Sequence, residues 1–366
     1  MTRARIVATG AYLPGEPLTN DDLERLAGPL DEVVLAQLGV QQRHWIADPA
    51  TGAHRETNSQ MAMKAARQVL ETAGAQSADV DMIVVSTGTP DQLLPPMVAT
   101  IQERLGLERS FCLELRSAGA GTVQGLDIAR LYIESGVART ALVIGSEAIS
   151  PVLVPMFRDR SPDDIRMRDR VAIYFCGDGA GAFLLSAGDG EGGIHAATSG
   201  SVGGRRKPGV QTVGGGTETP FHEQAMRDRF VDLRIDLTVS AEAQPPMMLS
   251  AVHETLARAD VDAGSVSAAF IPGGSAPWIN ERLGDDPRWT GLRPSLIDDI
   301  PTTGAIGSAY IPVSVDRAWR SGRIGAGDEV LMIGLEATKW MYAGVAALWT
   351  ATTPGMAVTG EARVSA

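Results

Sequence analysis

The chain has 366 residues, 44 % of them hydrophobic, and a net charge of −12. That length allows about two domains and a large buried core; the acidic balance argues against DNA or RNA as the main partner, because phosphate binding needs a basic face. No apolar run is long enough to span a bilayer, and with Cys112 and Cys176 as the two cysteines no disulfide framework is expected and a reducing cytoplasm fits.

The N-terminal segment MTRARIVATGAYLPG reads as a first strand, since its short apolar run stops at Gly-Ala-Tyr-Leu-Pro; it lacks the shape of a signal peptide. Residues 82–88 (MIVVSTG) predict a strand, and 96–106 (PMVATIQERLG) a helix closed by glycine. Residues 120–136 predict a helix ending at Ser135-Gly136, and 140–146 (TALVIGS) the next strand. Apolar runs alternating with amphipathic stretches indicate an α/β protein with a mostly parallel sheet.

The same order then returns. Residues 267–273 (SAAFIPG) read as a strand, 277–284 (PWINERLG) as a helix, 312–322 (PVSVDRAWRSG) as a helix and 329–334 (EVLMIG) as a strand. IQERLG matches INERLG, and LDIARLYIESG with ALVIGSEA matches VSVDRAWRSG with VLMIGLEA. The expected organisation is a duplication: one half over 1–185, another over 231–366, and an irregular Gly- and Thr-rich region over 186–230. The last residues, 352–366, read as a polar tail.

Several segments, in order and at consistent spacing, carry a family resemblance: RIVATGAYLPGEPLTNDDL, GVQQRHWIA, ETNSQMAMKAARQVLETAGA, DMIVVSTGTPDQLLPPMVATIQERLGL, SGVARTALVIGSEA and GDGAGAFLLS. Together they resemble β-ketoacyl-acyl-carrier-protein synthase III, of the thiolase superfamily, over nearly the whole chain. The resemblance implies a duplicated five-layer α-β-α-β-α fold, acyl-carrier-protein or coenzyme A thioesters as substrates, a dimer, and decarboxylative condensation through an acyl-enzyme. It implies no cofactor and no metal. It also implies a cysteine at a buried helix N-terminus, where the dipole favours the thiolate, with a His and an Asn that stabilise the enolate oxygen.

None of the three is present. Counting forward from Leu105-Gly106 and back from Ser135-Gly136, the cysteine position holds Gly119. The His position, after Ile271-Pro272, holds Gly273, and the Asn position, in the run Gly304–Ser308, holds Ala305. The repeat agrees: Ser135 pairs with Ser321, an offset of 186 residues that carries Gly119 onto Ala305. Glycine and alanine side chains cannot act as nucleophile, acid or base. General acid–base help is typically about 10²–10⁴-fold, so ordinary ketosynthase activity is expected to be absent.

Replacement groups are few. Ser117, two residues before Gly119, is a candidate nucleophile; Cys112 and Cys176 read as core residues. His222, in the irregular region, is a candidate base, whereas His44 reads as structural, His195 as a strand residue and His253 as a helix residue. Leu335, Glu336, Ala337 and Thr338 stand where the family's glycine run faces the thioester; Glu336 is a candidate base or a packed carboxylate echoing Glu147. The tryptophan that the family sets against adenine falls near Val33, and Arg205, Arg206 and Lys207 are a candidate docking strip for an acidic carrier protein. Two functions remain open: an acyltransferase or condensing enzyme of fatty-acid or polyketide-type specialised metabolism that has changed its mechanism, or a non-catalytic partner of an intact ketosynthase-like chain in a homo- or heterodimer.

Overall fold

The computed structural model describes residues 2–220 and 232–352. His222 and residues 353–366 of the expected tail lie outside the described residues.

Two five-stranded sheets carry the duplication. In the first, the strand order is Arg3–Tyr12, Gly179–Gly188, Thr140–Glu147, Met82–Ser86, Phe111–Leu115. In the second it is Gly193–Ser201, Met341–Leu348, Glu329–Glu336, Ala268–Phe270, Leu296–Ile297. The pairings match as well: antiparallel, antiparallel, parallel, parallel in each sheet.

The helices between and outside the sheets make five layers. Ala118–Glu134 packs between the sheets together with Tyr310–Arg320, while Asn58–Ala73 covers the outer face of the first sheet and Leu237–Ala259 that of the second. Local chemistry sets these helices. Asn58–Ala73 begins at a capping box between Thr57 and Gln60 and stops at Gly74, which is left-handed. Its buried face repeats at helical spacing through Met61, Ala62, Ala65, Ala66 and Val69. The inner helix Ala118–Glu134 buries Val123, Leu126, Ala129 and Ile133. Each large apolar side chain so buried contributes about 1.5–3 kcal/mol.

One boundary differs from expectation. Residues 186–230 are not irregular throughout, because Gly193–Ser201 is a nine-residue strand on the edge of the second sheet. Its sequence, GIHAATSGS, is mostly small residues, so the alternation that marks a half-buried strand is muted. The C-terminal half therefore opens at Gly193, as the N-terminal half opens at Arg3. The helix expected at His253 reaches further than its sequence suggests, since Leu237–Ala259 runs through Pro245-Pro246. Proline has no N–H to donate, so the carbonyls one turn earlier lose their helical partner, and the dipeptide reads as a break.

Candidate active site

The inner ends of both halves meet around a cavity of about 600 Å³. Gly119, Gly273 and Ala305 all line it, so the structure brings together the three residues that the resemblance singled out. Leu335, Glu336, Ala337 and Thr338 line it too.

Gly119 stands in the first turn of the inner helix, and the space beside it is taken. A Cβ there would lie 2.3 Å from the Leu335 carbonyl oxygen, a backbone atom. The preceding Ala118, whose side chain also lines the cavity, has φ 34°, a left-handed conformation costly for a residue with a Cβ. Such strain collects at functional sites; here it is kept at the entry to the helix although neither residue offers a reactive atom.

Gly273 has φ 127°, and a Cβ on it would lie 2.0 Å from Gln244 Nε2. Gln244 comes from the Pro-interrupted helix and donates from Nε2 to the Gly273 carbonyl at 2.6 Å. Ala305 sits in a bridge with Cys176: its N–H donates to the Phe175 carbonyl at 2.8 Å, and its carbonyl accepts from Gly177 N–H at 3.0 Å.

Two buried carboxylates border the cavity, one at the end of a corresponding strand in each half. Glu336 Oε2 accepts from Gly119 N–H at 2.8 Å and Oε1 from Thr338 N–H at 2.7 Å. Glu147 Oε1 accepts from Gly88 N–H at 2.8 Å and Ser308 Oγ at 2.7 Å, and Oε2 from Thr89 Oγ1 at 2.6 Å. Each thus reaches across to the start of the other half's inner helical segment, where the dipole favours negative charge. Burial pushes both carboxyls above their ordinary range, and the Glu147 charge adds to the rise at Glu336. Salt bridges among the described residues include neither of them.

The other candidates are dispersed. Ser117 precedes the helix, and its hydroxyl donates to Gln124; it does not line the cavity. As a nucleophile it is turned away from the site and has no base beside it. Cys176 lines the cavity but is fully buried, which pushes its thiol up to about 12 and keeps it protonated. Cys112 lies in the edge strand Phe111–Leu115. Arg205, Arg206 and Lys207 are exposed on the turn that leads to Pro208 and Val210, two cavity-lining residues. Val33 is 66 % exposed, next to cavity-lining Val34. Gln244 was not singled out from the sequence, because no motif marks a glutamine that fills a glycine's space from another element. Groups of three or more metal-ligating side chains do not occur among the described residues, and no described helix is long and apolar enough to cross a membrane.

Comparison with known proteins agrees with this architecture. Residues 113–203 match the family described as 3-oxoacyl-(acyl-carrier-protein) synthase III. The beta-ketoacyl-(acyl-carrier-protein) synthase III of Rhodospirillum centenum is 33 % identical over 334 residues, covering 90 % of this chain and 94 % of that protein. Among solved structures, a tetronic acid condensing enzyme aligns with a TM-score of 0.80 at 25 % identity, covering 94 % of this chain and 99 % of its own. The priming β-ketosynthase of a polyketide biosynthetic pathway aligns with a TM-score of 0.79 at 26 % identity, covering 96 % of this chain and 97 % of its own.

Proposed function

The chain belongs to the β-ketoacyl-acyl-carrier-protein synthase III family, and we propose that it binds an acyl thioester of fatty-acid or polyketide-type metabolism and passes the acyl group directly to an acceptor, with no acyl-enzyme. The observation that carries this reading is at Gly119. The family's nucleophile position has no room for a side chain, because the Leu335 carbonyl would lie 2.3 Å from a Cβ there. The acyl cavity is nonetheless kept, at about 600 Å³. Holding an acyl donor and an acceptor side by side converts a bimolecular reaction into a unimolecular one, worth up to about 7–11 kcal/mol where the geometry is good.

The donor is an acyl chain on a carrier protein in preference to coenzyme A, since Val33 offers no ring for adenine to stack on. The exposed Arg205, Arg206 and Lys207 would face the acidic carrier. The open edge strand Phe111–Leu115, with Phe111 43 % exposed, supports a dimer.

The test is intact-protein mass spectrometry after incubation with carrier-protein and coenzyme A thioesters, with and without added amines and alcohols. The expected result is an unmodified protein and an acylated acceptor. A stable adduct on Ser117 or a cysteine would sink the proposal.

A second reading, a non-catalytic partner of an intact ketosynthase-like chain, is favoured by one observation. The Gly119 N–H, a natural donor for a developing oxyanion, is already held by the Glu336 carboxylate. Co-purification with a Cys-His-Asn paralogue, altered product length in that complex and no turnover by this chain alone would establish it.

A further inference from the structure

Two of the three emptied positions have been filled from elsewhere by polar groups. Beside Gly119 stands Glu336, and beside Gly273 stands Gln244, each in contact with the glycine backbone. Neither glycine has room for a side chain. A Cβ at 273 would meet Gln244 Nε2 at 2.0 Å, and one at 119 would meet the carbonyl of Leu335, the residue before Glu336, at 2.3 Å. At 273 the polar side chain itself takes the space of a Cβ, whereas at 119 a backbone carbonyl takes it and Glu336 Oε2 lies 3.6 Å away.

We infer that Glu336 and Gln244 are the working polar groups of the direct transfer: Glu336 takes the proton of an alcohol or amine acceptor, and Gln244 donates a hydrogen bond to the thioester carbonyl oxygen. This rests on the direct-transfer reading above.

The geometry assigns the two roles differently. Both Glu336 oxygens accept backbone N–H groups, from Gly119 and Thr338. These backbone donors oppose the rise that burial causes and so favour the carboxylate, while each oxygen keeps a further lone pair for a proton. Gln244 is fixed the other way round. Its partner, the Gly273 carbonyl, can only accept, so the atom at 2.6 Å is the amide nitrogen. That nitrogen has a second hydrogen, and among the described residues it makes no other bond. Both side chains line the cavity.

The step balances without a further reagent. The acceptor's oxygen or nitrogen forms a bond to the thioester carbonyl carbon while its proton passes to Glu336. The carbonyl π electrons move onto oxygen, where the Gln244 N–H holds them. They return as the carbon–sulfur bond breaks, and the leaving thiolate takes the proton back from Glu336. The products are an ester or amide and a free thiol, and Glu336 is again ionised.

The experiment measures steady-state transfer from an acyl-pantetheine thioester to ethanol and to the more acidic trifluoroethanol. Glu336→Gln is expected to lower kcat by about 10²–10⁴-fold, with the thioester KM held within about threefold. The loss should be smaller for trifluoroethanol, which needs less help to give up its proton. Gln244→Ala is expected to lower kcat by about 10²–10³-fold, equally for both alcohols. Glu336→Asp, which keeps a carboxylate should the Gln variant fail to fold, retains the wild-type dependence on acceptor acidity. If Glu336→Gln stays within about threefold of wild type, if its loss is the same for both alcohols, or if Glu336→Asp loses the acidity dependence, the assignment is overturned and direct transfer stands. If the wild type acylates neither alcohol nor an amine, both are overturned.

Discussion

Glu147 and Glu336 close corresponding strands of the two halves, yet they are held in different ways. Glu147 is gripped from several sides: Gly88 N–H, Thr89 Oγ1 and Ser308 Oγ all donate to it, and a Cβ on Gly307 would lie 2.7 Å from its Cγ. Glu336 is held by two backbone amides, those of Gly119 and Thr338. The residues that open the next strands differ too. Asp178 precedes Gly179–Gly188, whereas Trp340 precedes Met341–Leu348 and donates its Nε1–H to the Lys207 carbonyl at 2.7 Å. A duplicated fold can thus hold two corresponding carboxylates in different ways. What distinguishes them is the donors around each one, not the residue type.

The sharpest way to break this comparison is to remove each carboxylate in turn. Glu147→Ala strands three buried donors, each worth about 1–3 kcal/mol, so denaturant unfolding should show a loss of more than about 3 kcal/mol. Glu336→Gln keeps an acceptor oxygen and should lose less stability than Glu147→Ala, its effect appearing in the transfer rate. Equal losses of stability would erase the distinction.

The next test sets the two inner helical segments against each other. Gly119→Ala pushes a methyl into a backbone carbonyl, and overpacking of this kind costs about 1–3 kcal/mol. At the corresponding position, Ala305→Gly deletes a methyl that already fits, and the expected cost is about 0.5–1 kcal/mol. Thermal melting of both variants ranks them.

A smaller effect is expected at the surface. Reversing Arg205, Arg206 and Lys207 to Glu should weaken carrier-protein binding about tenfold at low salt, with the difference shrinking at high salt as screening sets in. Titration calorimetry at two ionic strengths reads it, and unchanged binding removes the docking role.

The last test is a slope with pH. Asp178 is fully buried and accepts from Ile46 N–H at 2.7 Å, Ile149 N–H at 2.6 Å and Ser150 N–H at 2.9 Å. Burial nevertheless lifts its carboxyl from 3.8 to about 6. A raised folded-state value means that the folded protein binds this proton more tightly than the unfolded chain. Its contribution is therefore full below 3.8 and is lost as pH rises through about 6. The stability difference between wild type and Asp178→Asn should fall across that window, measured by urea unfolding. A difference that rises with pH would contradict the assignment.

Much of the architecture was legible because it is local. Helices such as Met97–Arg104 and Ala276–Leu283 announce themselves by apolar spacing and a closing glycine, and the recurrence of IQERLG as INERLG exposed the duplication. The strand at His195 and the helix at His253 were legible, but not the extent of Gly193–Ser201, because small residues carry no alternation, nor that of Leu237–Ala259, because Pro245-Pro246 looks like a break. At the site, Gly119, Gly273 and Ala305 were legible from register and repeat. What packs against the two glycines was not, since the Glu336–Gly119 bond joins residues 217 apart in the chain and the Gln244–Gly273 bond joins two separate elements.

By itself the sequence determined the repeat and its 186-residue offset, because residue identity and spacing are properties of the chain alone. Only the tertiary structure decided that no room for a side chain is left at Gly119 or Gly273, that Ser117 does not line the cavity, and that Glu147 and Glu336 are held differently. Those outcomes depend on which atoms distant segments bring within van der Waals reach, and on how many donors surround a charge once water has been excluded.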